Sequence, residues 1–435
     1  MAVNACPAVL VAAPASGQGK TTVAVALARL HARAGRRVRM FKCGPDFLDP
    51  FWHVLASGAP AHPLDLWMNG AADCAARLHE AAGCADLIVV EGAMGLYDGA
   101  PNAADLARRF DLPVLAVVDA GAMAATFGAV AHGLRTWKPG LRWAGVLANR
   151  VAGERHAAML HDKLDAEANW LGALPRGEAF TLPSRHLGLT AAAEVDDAAA
   201  RLDAAADALA AAPLGQADLA PWTVEFAPPP AAGPVEPLLR GRTIAVARDA
   251  AFCFIYQANL DTLVALGARL AFFSPLAGDD LPACDAVWLP GGYPELHAAR
   301  LAGCTRLRDA LRAHAARGAP VWAECGGMMV LFDTLAAADG RRHPLWGLLP
   351  GQAAMHPRLA ALGPRQWHGA AGTLRDHTFH YSTCTTPLAP AAHASRPDGT
   401  AGEAAYRVGS VRASYFHAWF ASSPRAAAAL FGGAA

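Results

Sequence analysis

An apolar run at residues 9–13 breaks into PASGQGKTT (residues 14–22), and a stretch with Val23, Leu27 and Leu30 on one helical face follows at once. Strand, glycine-rich turn, helix: this order constrains the first half of the chain more than any other feature. Glycines let backbone N–H groups approach phosphate oxygens, and the helix start presents further donors to an anion. Gly17 and Gly19 shape the loop, Lys20 neutralises phosphate charge, and Thr21 offers a hydroxyl to Mg²⁺, with Thr22 beside it. Pro14 stands where the full pattern has its first glycine, so the loop is a variant.

Further apolar runs at residues 38–42, 87–90, 114–118 and 144–147 each end near a polar or glycine-rich turn. Runs apolar throughout, separated by helical stretches, predict an α/β domain whose parallel sheet is covered on both faces. Functional residues then gather in loops at the carboxyl ends of the strands. Those loops hold four acids: Asp46 and Asp49 in KCGPDFLDP, Glu91 after residues 87–90, and Asp98 in GLYDG. Hard oxygen donors suit Mg²⁺, and Thr21, Asp46 and Glu91 are the candidate ligands. Singly, each acid could equally be a turn residue or a helix cap. Asn149 ends another predicted strand and is a candidate for an adenine edge, with a turn role as the alternative.

Residues 191–212 have helical spacing, and residues 213–241 are dense in proline and poor in periodicity. Proline denies both ladder donors and helix continuity, so 213–241 reads as a linker between domains 1–212 and 242–435. In the second domain, runs at 244–247, 271–274, 286–289 and 320–323 predict strands, and 259–266 and 326–335 predict helices. The run 320–323 leads into Glu324, Cys325, Gly326 and Gly327. A tight strand-to-helix turn exposes a nucleophile, and a helix N-terminus lowers a thiol pKa. LPGGYPE (289–295) ends another strand; its Gly291 and Gly292 N–H groups, with that of Gly326, predict an oxyanion hole. A cysteine nucleophile needs a base. His417, in SYFH, is the candidate, and His380, in FHY, competes with it.

Lys plus Arg equals Asp plus Glu at 37 each, which excludes a global basic field for nucleic acid. No uninterrupted apolar stretch reaches the ~18 residues of a membrane span. The nine cysteines form no C-x-x-C pair and fit a reducing compartment. The N-terminal apolar stretch lacks a preceding basic region and runs into the phosphate loop, so it predicts a first strand and not a signal peptide. A cytoplasmic protein without nucleic-acid or membrane partners is the expectation.

Eleven segments, SGQGKTT, KCGPDFLDP, LDLWM, VEGAMGLYDG, ANRV, LPSRHLGL, FCFIYQANL, LPGGYPELHA, AECGGMM, FHYS and ASYFH, run in order from residue 16 to 417. In them the chain resembles the cobyrinate or hydrogenobyrinate a,c-diamide synthases of cobalamin biosynthesis. The resemblance implies a dethiobiotin-synthetase-like P-loop domain followed by a class I glutamine amidotransferase domain. It implies that Cys325, with His417, releases ammonia from glutamine, and that ATP and Mg²⁺ activate corrinoid acetates a and c as acyl phosphates. It also implies a homodimer, and it matches Asp46, Asp49, Glu91 and Asp98 to acidic loop positions. Arg36, Arg37, Arg39 and Lys42 are candidate cations for the corrinoid carboxylates, or else a solvated strand edge. Two positions depart from related patterns. Trp419 stands where many class I amidotransferases place a triad Glu, and Pro364 where the family usually has tyrosine. Two rivals remain: a cobyric acid synthase-like amidotransferase, against which GPDFLDP and EGAMGLYDG argue, and a partitioning-type P-loop regulatory ATPase with a non-catalytic glutaminase-like domain. The latter proteins usually have a lysine where this chain has Ala15.

Overall fold

The structure, a computed structural model, describes residues 2–185, 188–189, 192–230, 233 and 235–433. Within LPSRHLGL, His186 and Leu187 lie outside the described residues. The chain divides into two units, Met1–Ala232 and Gly233–Ala435.

The first unit runs β1 (Asn4–Ala12), α1 (Lys20–Arg33), β2 (Val38–Cys43), α2 (Asp49–Ser57), β3 (His62–Leu64), α3 (Ala71–Ala82), β4 (Leu87–Glu91), α4 (Ala103–Arg109) and β5 (Val114–Asp119). Then come α5 (Thr126–Thr136), β6 (Trp143–Val151), α6 (Glu154–His161), β7 (Trp170–Pro175), the pair β8 (Ser184–Arg185) and β9 (Gly188–Leu189), α7 (Ala198–Ala210) and β10 (Thr223–Phe226). Among the described residues the sheet order is β3-β2-β4-β1-β5-β6-β7, all neighbours parallel, with β10 antiparallel to the start of β1. Alternate residues feed opposite cores: Leu10, Ile88 and Ala116 one, Val9, Val11, Val89 and Leu115 the other. Both faces are covered, so the strands read as unbroken apolar runs.

The proline-dense stretch is not linker throughout. Pro213 and Pro221 sit in the first turns of short 3₁₀ helices, Pro213–Gln216 and Ala220–Trp222, where a missing N–H is tolerated. Leu214, Leu219, Trp222, Val224 and Phe226 are buried in the first unit's cores. The apolar residues between the prolines decide the outcome, and 213–226 folds onto the first unit.

The second unit runs β11 (Thr243–Ala247), α8 (Gln257–Ala265), β12 (Arg269–Phe273), β13 (Ala286–Leu289), α9 (Ala298–Ala302), α10 (Thr305–Ala316), β14 (Val321–Glu324), α11 (Gly326–Met329) and β15 (Phe332–Ala336). It continues with β16 (Arg342–Pro344), β17 (Leu349–Met355), β18 (Ala361–Gly369), β19 (Gly372–His380), β20 (Ser382–Thr385), β21 (Ala392–Ser395), β22 (Ala401–Val408), β23 (Val411–Ser414) and α12 (Pro424–Leu430). One sheet has the order β12-β11-β13-β14-β23-β22-β21-β18-β19, parallel from β12 to β23 and antiparallel beyond. A second has the order β16-β15-β17-β20.

The expected helix over 326–335 stops at Met329. Chain returning from residues 346–349 donates to the Val330 and Leu331 carbonyls at 2.8–3.1 Å, so the segment beyond continues as β15. On β18, next to Pro364, Arg365 makes a two-pronged ion pair with Glu403 at 2.6 and 3.0 Å, with side chains 3% and 9% exposed. Removing one partner leaves an uncompensated buried charge. Arg365→Met is therefore expected to destabilise this unit by about 3–5 kcal/mol, read by urea unfolding; an unchanged midpoint would contradict that assignment.

No helix among the described residues is long and apolar enough to cross a membrane, and all nine cysteines are free thiols.

Candidate active sites

The phosphate loop leaves β1 and closes at Gly19, whose φ of +94° favours glycine. A Cβ there would meet Asn149 Nδ2 at 2.1 Å. Asn149 donates from that nitrogen to the Gln18 carbonyl at 2.9 Å, and Gln18 Oε1 accepts from the Asp119 N–H at 2.8 Å. Asn149, a candidate for an adenine edge, is thus tied to the loop's own backbone. Lys20 Nζ donates to the Ala15 and Met94 carbonyls at 3.0 and 2.5 Å. Burial, aided by the Lys42 charge, lowers the Lys20 ammonium to about 8.

Thr21 Oγ1 donates to Glu91 Oε1 at 2.6 Å. Glu91 ends β4 directly opposite Lys42 of β2, so the strand register itself sets up their contact. Lys42 Nζ lies 2.9 Å from Glu91 Oε1 and 2.5 Å from Asp49 Oδ2, and His53 Nε2 lies 2.6 Å from Glu91 Oε2. Burial resists charge on Glu91, but Lys42 and the His53 and Thr21 hydrogen bonds outweigh it and hold the carboxylate ionised. Burial likewise opposes charge on Lys42, and Asp49 and Glu91 overcome it. Asp49, desolvated and beside Asp46, is the carboxyl pushed upward. A hydroxyl and an ionised carboxylate in contact are donors that fit Mg²⁺, which keeps its other positions for phosphate and water.

The remaining acids have local partners. Asp46 Oδ1 accepts from the Leu48 and Asp49 N–H groups at 2.7 and 3.0 Å, and Asp98 Oδ2 from the Gly95 N–H at 2.9 Å. Both acids therefore close turns. Among the described residues no group of three or more His, Cys, Asp or Glu side chains is placed to hold a metal. Of the basic run, Arg37 pairs with Asp86 at 2.8 Å, Arg36 reaches His31, and Lys42 is buried within the acid network. Sequence reasoning missed His53; its i, i+4 spacing from Asp49 on α2 is the available signal.

In the second unit β14 and β23 are parallel neighbours with Glu324 opposite Ser414, and the Cys325 N–H donates to the Ser414 carbonyl at 2.8 Å. Cys325, one residue past β14, and His417, three past β23, therefore leave the same end of the sheet. Cys325 is held at φ +45°, ψ −106°, a sharp and strained elbow. Gly327 passes so close to β13 that a Cβ would meet the Leu289 carbonyl at 2.0 Å. A Cβ on Gly326 would sit 3.0 Å from Gly292 N, and one on Gly291 would sit 2.5 Å from His417 Cε1. The paired glycines thus lie against the elbow and its histidine.

The thiol's electrostatics depart from expectation. Only four residues of helix follow Cys325, and the side chain is buried. Burial and the Glu295 carboxylate push the thiol up to about 12, outweighing the Gly326 N–H. Burial, with His377 and His380 nearby, lowers His417 well below the usual imidazole range and holds its ring neutral. His380, the competing candidate, has its Nδ1 2.7 Å from the Ser382 carbonyl and its ring stacked on Tyr415. Gly291→Ala would displace His417, and an error near 1 Å costs about 10²-fold. A loss of that size in glutamine hydrolysis is expected, with ammonium-driven synthesis retained; wild-type hydrolysis would contradict the packing argument.

Two family models match this layout: a CobQ/CobB/MinD/ParA nucleotide binding domain over residues 9–189 and a CobB/CobQ-like glutamine amidotransferase domain over residues 243–425. With its relatives, that pair defines an amide-forming ligase with a glutamine amidotransferase domain. The hydrogenobyrinate a,c-diamide synthases of Stutzerimonas stutzeri (strain A1501) and Pseudomonas aeruginosa are each 56% identical, covering 98% of this chain and 98% and 97% of theirs. The cobyrinate a,c-diamide synthase of Herminiimonas arsenicoxydans is 47% identical over 98% of this chain and 97% of its own. The chain belongs to the cobyrinate and hydrogenobyrinate a,c-diamide synthase family. The nucleotide-binding family also takes in MinD and ParA, so the first unit alone leaves the regulatory-ATPase reading open; the end-to-end relatives are what set it aside.

Proposed function

We propose that the chain amidates the a and c acetate carboxylates of cobyrinate or hydrogenobyrinate, consuming ATP and drawing nitrogen from glutamine. The observation that carries the reading is the strained Cys325 elbow, whose preceding residue Glu324 lies 3.9 Å from His417, in a chain that also holds a phosphate loop.

His417 takes the Cys325 proton, and the sulfur attacks the side-chain amide carbon of glutamine. The Gly291, Gly292 and Gly326 N–H groups receive the developing oxyanion. Ammonia leaves with the proton that His417 returns, and water hydrolyses the thioester to glutamate. A carboxylate is a poor acyl donor, so the corrinoid acetate first takes the γ-phosphoryl group of ATP; ammonia then displaces phosphate. Gly17, Gly19, Lys20 and Thr22 hold the ATP phosphates, and Thr21 and Glu91 hold Mg²⁺. When bound, that ion neutralises charge building on the transferring phosphoryl. Lys42 and His53 hold Glu91 in place, Asn149 braces the loop, and Asp46, Asp49 and Asp98 shape the loops that the corrinoid meets. The assembly is a homodimer, which light scattering tests.

Corrinoid carrying ¹⁸O in its acetates, turned over with ATP, Mg²⁺ and ammonium, is expected to pass label to inorganic phosphate with each amide formed. Unlabelled phosphate beside amidated product would rule out the acyl phosphate.

A further inference from the structure

His417 has no glutamate two residues downstream; Trp419 is there, packed edge-on against Tyr256. A carboxyl group nevertheless stands beside its ring, and burial pushes it well above the usual carboxylate range. Glu324, the residue immediately before the nucleophile, ends β14 with its side chain 2% exposed and its Oε2 3.9 Å from His417 Nδ1. Its other oxygen accepts from the Trp322 indole N–H at 2.6 Å, which fixes the carboxyl group's orientation. Nδ1 is the ring nitrogen that comes within 4 Å of Glu324.

We propose that Glu324 is the positioning residue of the glutaminase site, holding the His417 ring and balancing the imidazolium that forms when Cys325 loses its proton. This rests on the reading of Cys325 and His417 given above. In the step concerned the Sγ–H bond breaks and Nε2–H forms. The sulfur then bonds the amide carbon, the carbon–nitrogen bond breaks, and the Nε2 proton departs with ammonia. Burial penalises a lone imidazolium and a lone carboxylate alike, so the Glu324 proton passes to solvent water as His417 takes the thiol proton, and the two opposite charges side by side offset each other. A contact of 3.9 Å in the resting chain is no obstacle, since catalytic hydrogen bonds often tighten only with substrate bound. Asp376, the other buried acid nearby, already pairs with His377 at 2.6 Å, and it is His377 that stacks on His417.

Packing and charge make opposite predictions here. Glutamine is isosteric with glutamate and keeps an acceptor for Trp322, whereas aspartate keeps the charge and loses a methylene. Glu324→Gln and Glu324→Asp are compared with Cys325→Ala for glutamine hydrolysis, with ammonium-driven amidation as the measure of folding. Glu324→Gln is expected to lower kcat by about 10²-fold with little change in the glutamine KM, and Glu324→Asp to recover at least about tenfold of that loss. The proposal is overturned if Glu324→Gln hydrolyses glutamine within about threefold of wild type. It is equally overturned if Glu324→Gln outperforms Glu324→Asp, or if ammonium-driven synthesis falls in step with hydrolysis. Full hydrolysis by Cys325→Ala would instead overturn the underlying glutaminase reading.

Discussion

Replacing Cys325 by alanine is expected to cut glutamine-driven amidation by about 10⁴-fold or more, while ammonium salts continue to support synthesis. In the mechanism proposed above, the thiol is the atom that bonds the glutamine carbon. His417 would remain, and so would the glycine N–H groups, but both serve a nucleophile that is gone. Alanine fits the site without new strain beyond what Cys325 already bears at φ +45°. The phosphate loop belongs to the other unit, so free ammonia is expected to bypass the lesion. Loss of both activities would mean that Cys325 has a structural role instead.

Lys20→Ala is expected to have the converse pattern, lowering ammonium- and glutamine-driven amidation together by about 10³-fold while glutamine hydrolysis persists. Lys20 is buried and rests on two backbone carbonyls, with its ammonium already destabilised to about 8. Polyphosphate restores what burial takes away, so the folded site favours binding with the lysine charged. The sign follows: binding raises the Lys20 pKa, and the benefit fades as pH climbs above about 8. Lys20→Arg is not expected to rescue activity, because a planar fork does not fit a space built around a compact ammonium. Rates measured at saturating ATP, beside nucleotide affinity by calorimetry, check both statements.

What the sequence made legible follows from how each feature is encoded. The parallel sheet of the first unit is visible because strands buried on both faces are continuous apolar runs, and the elbow because strand, cysteine and glycines are contiguous. The antiparallel half of the second unit was not visible. Strands such as Ala361–Gly369 and Gly372–His380 mix polar and apolar residues without clean alternation, and β15 owes its form to bonds from chain some fifteen residues later. The long-range side-chain pairs at the two candidate sites were lost in the same way. His53, on α2, meets Glu91 across 38 residues, and Glu324 meets His417 across 93 because the β14–β23 register brings their strand ends together. Composition misled in one place, where the proline-dense stretch hid the five buried apolar residues that pack it onto the first unit.

The most direct measurement incubates the purified chain with ATP, Mg²⁺, glutamine labelled with ¹⁵N in its amide, and cobyrinate or hydrogenobyrinate in turn, and reads product by mass and fragmentation. The account predicts a product carrying two labelled amides, on the a and c acetates, from at least one of the corrinoids. ATP hydrolysis with neither corrinoid amidated, or label confined to other carboxylates, would contradict it.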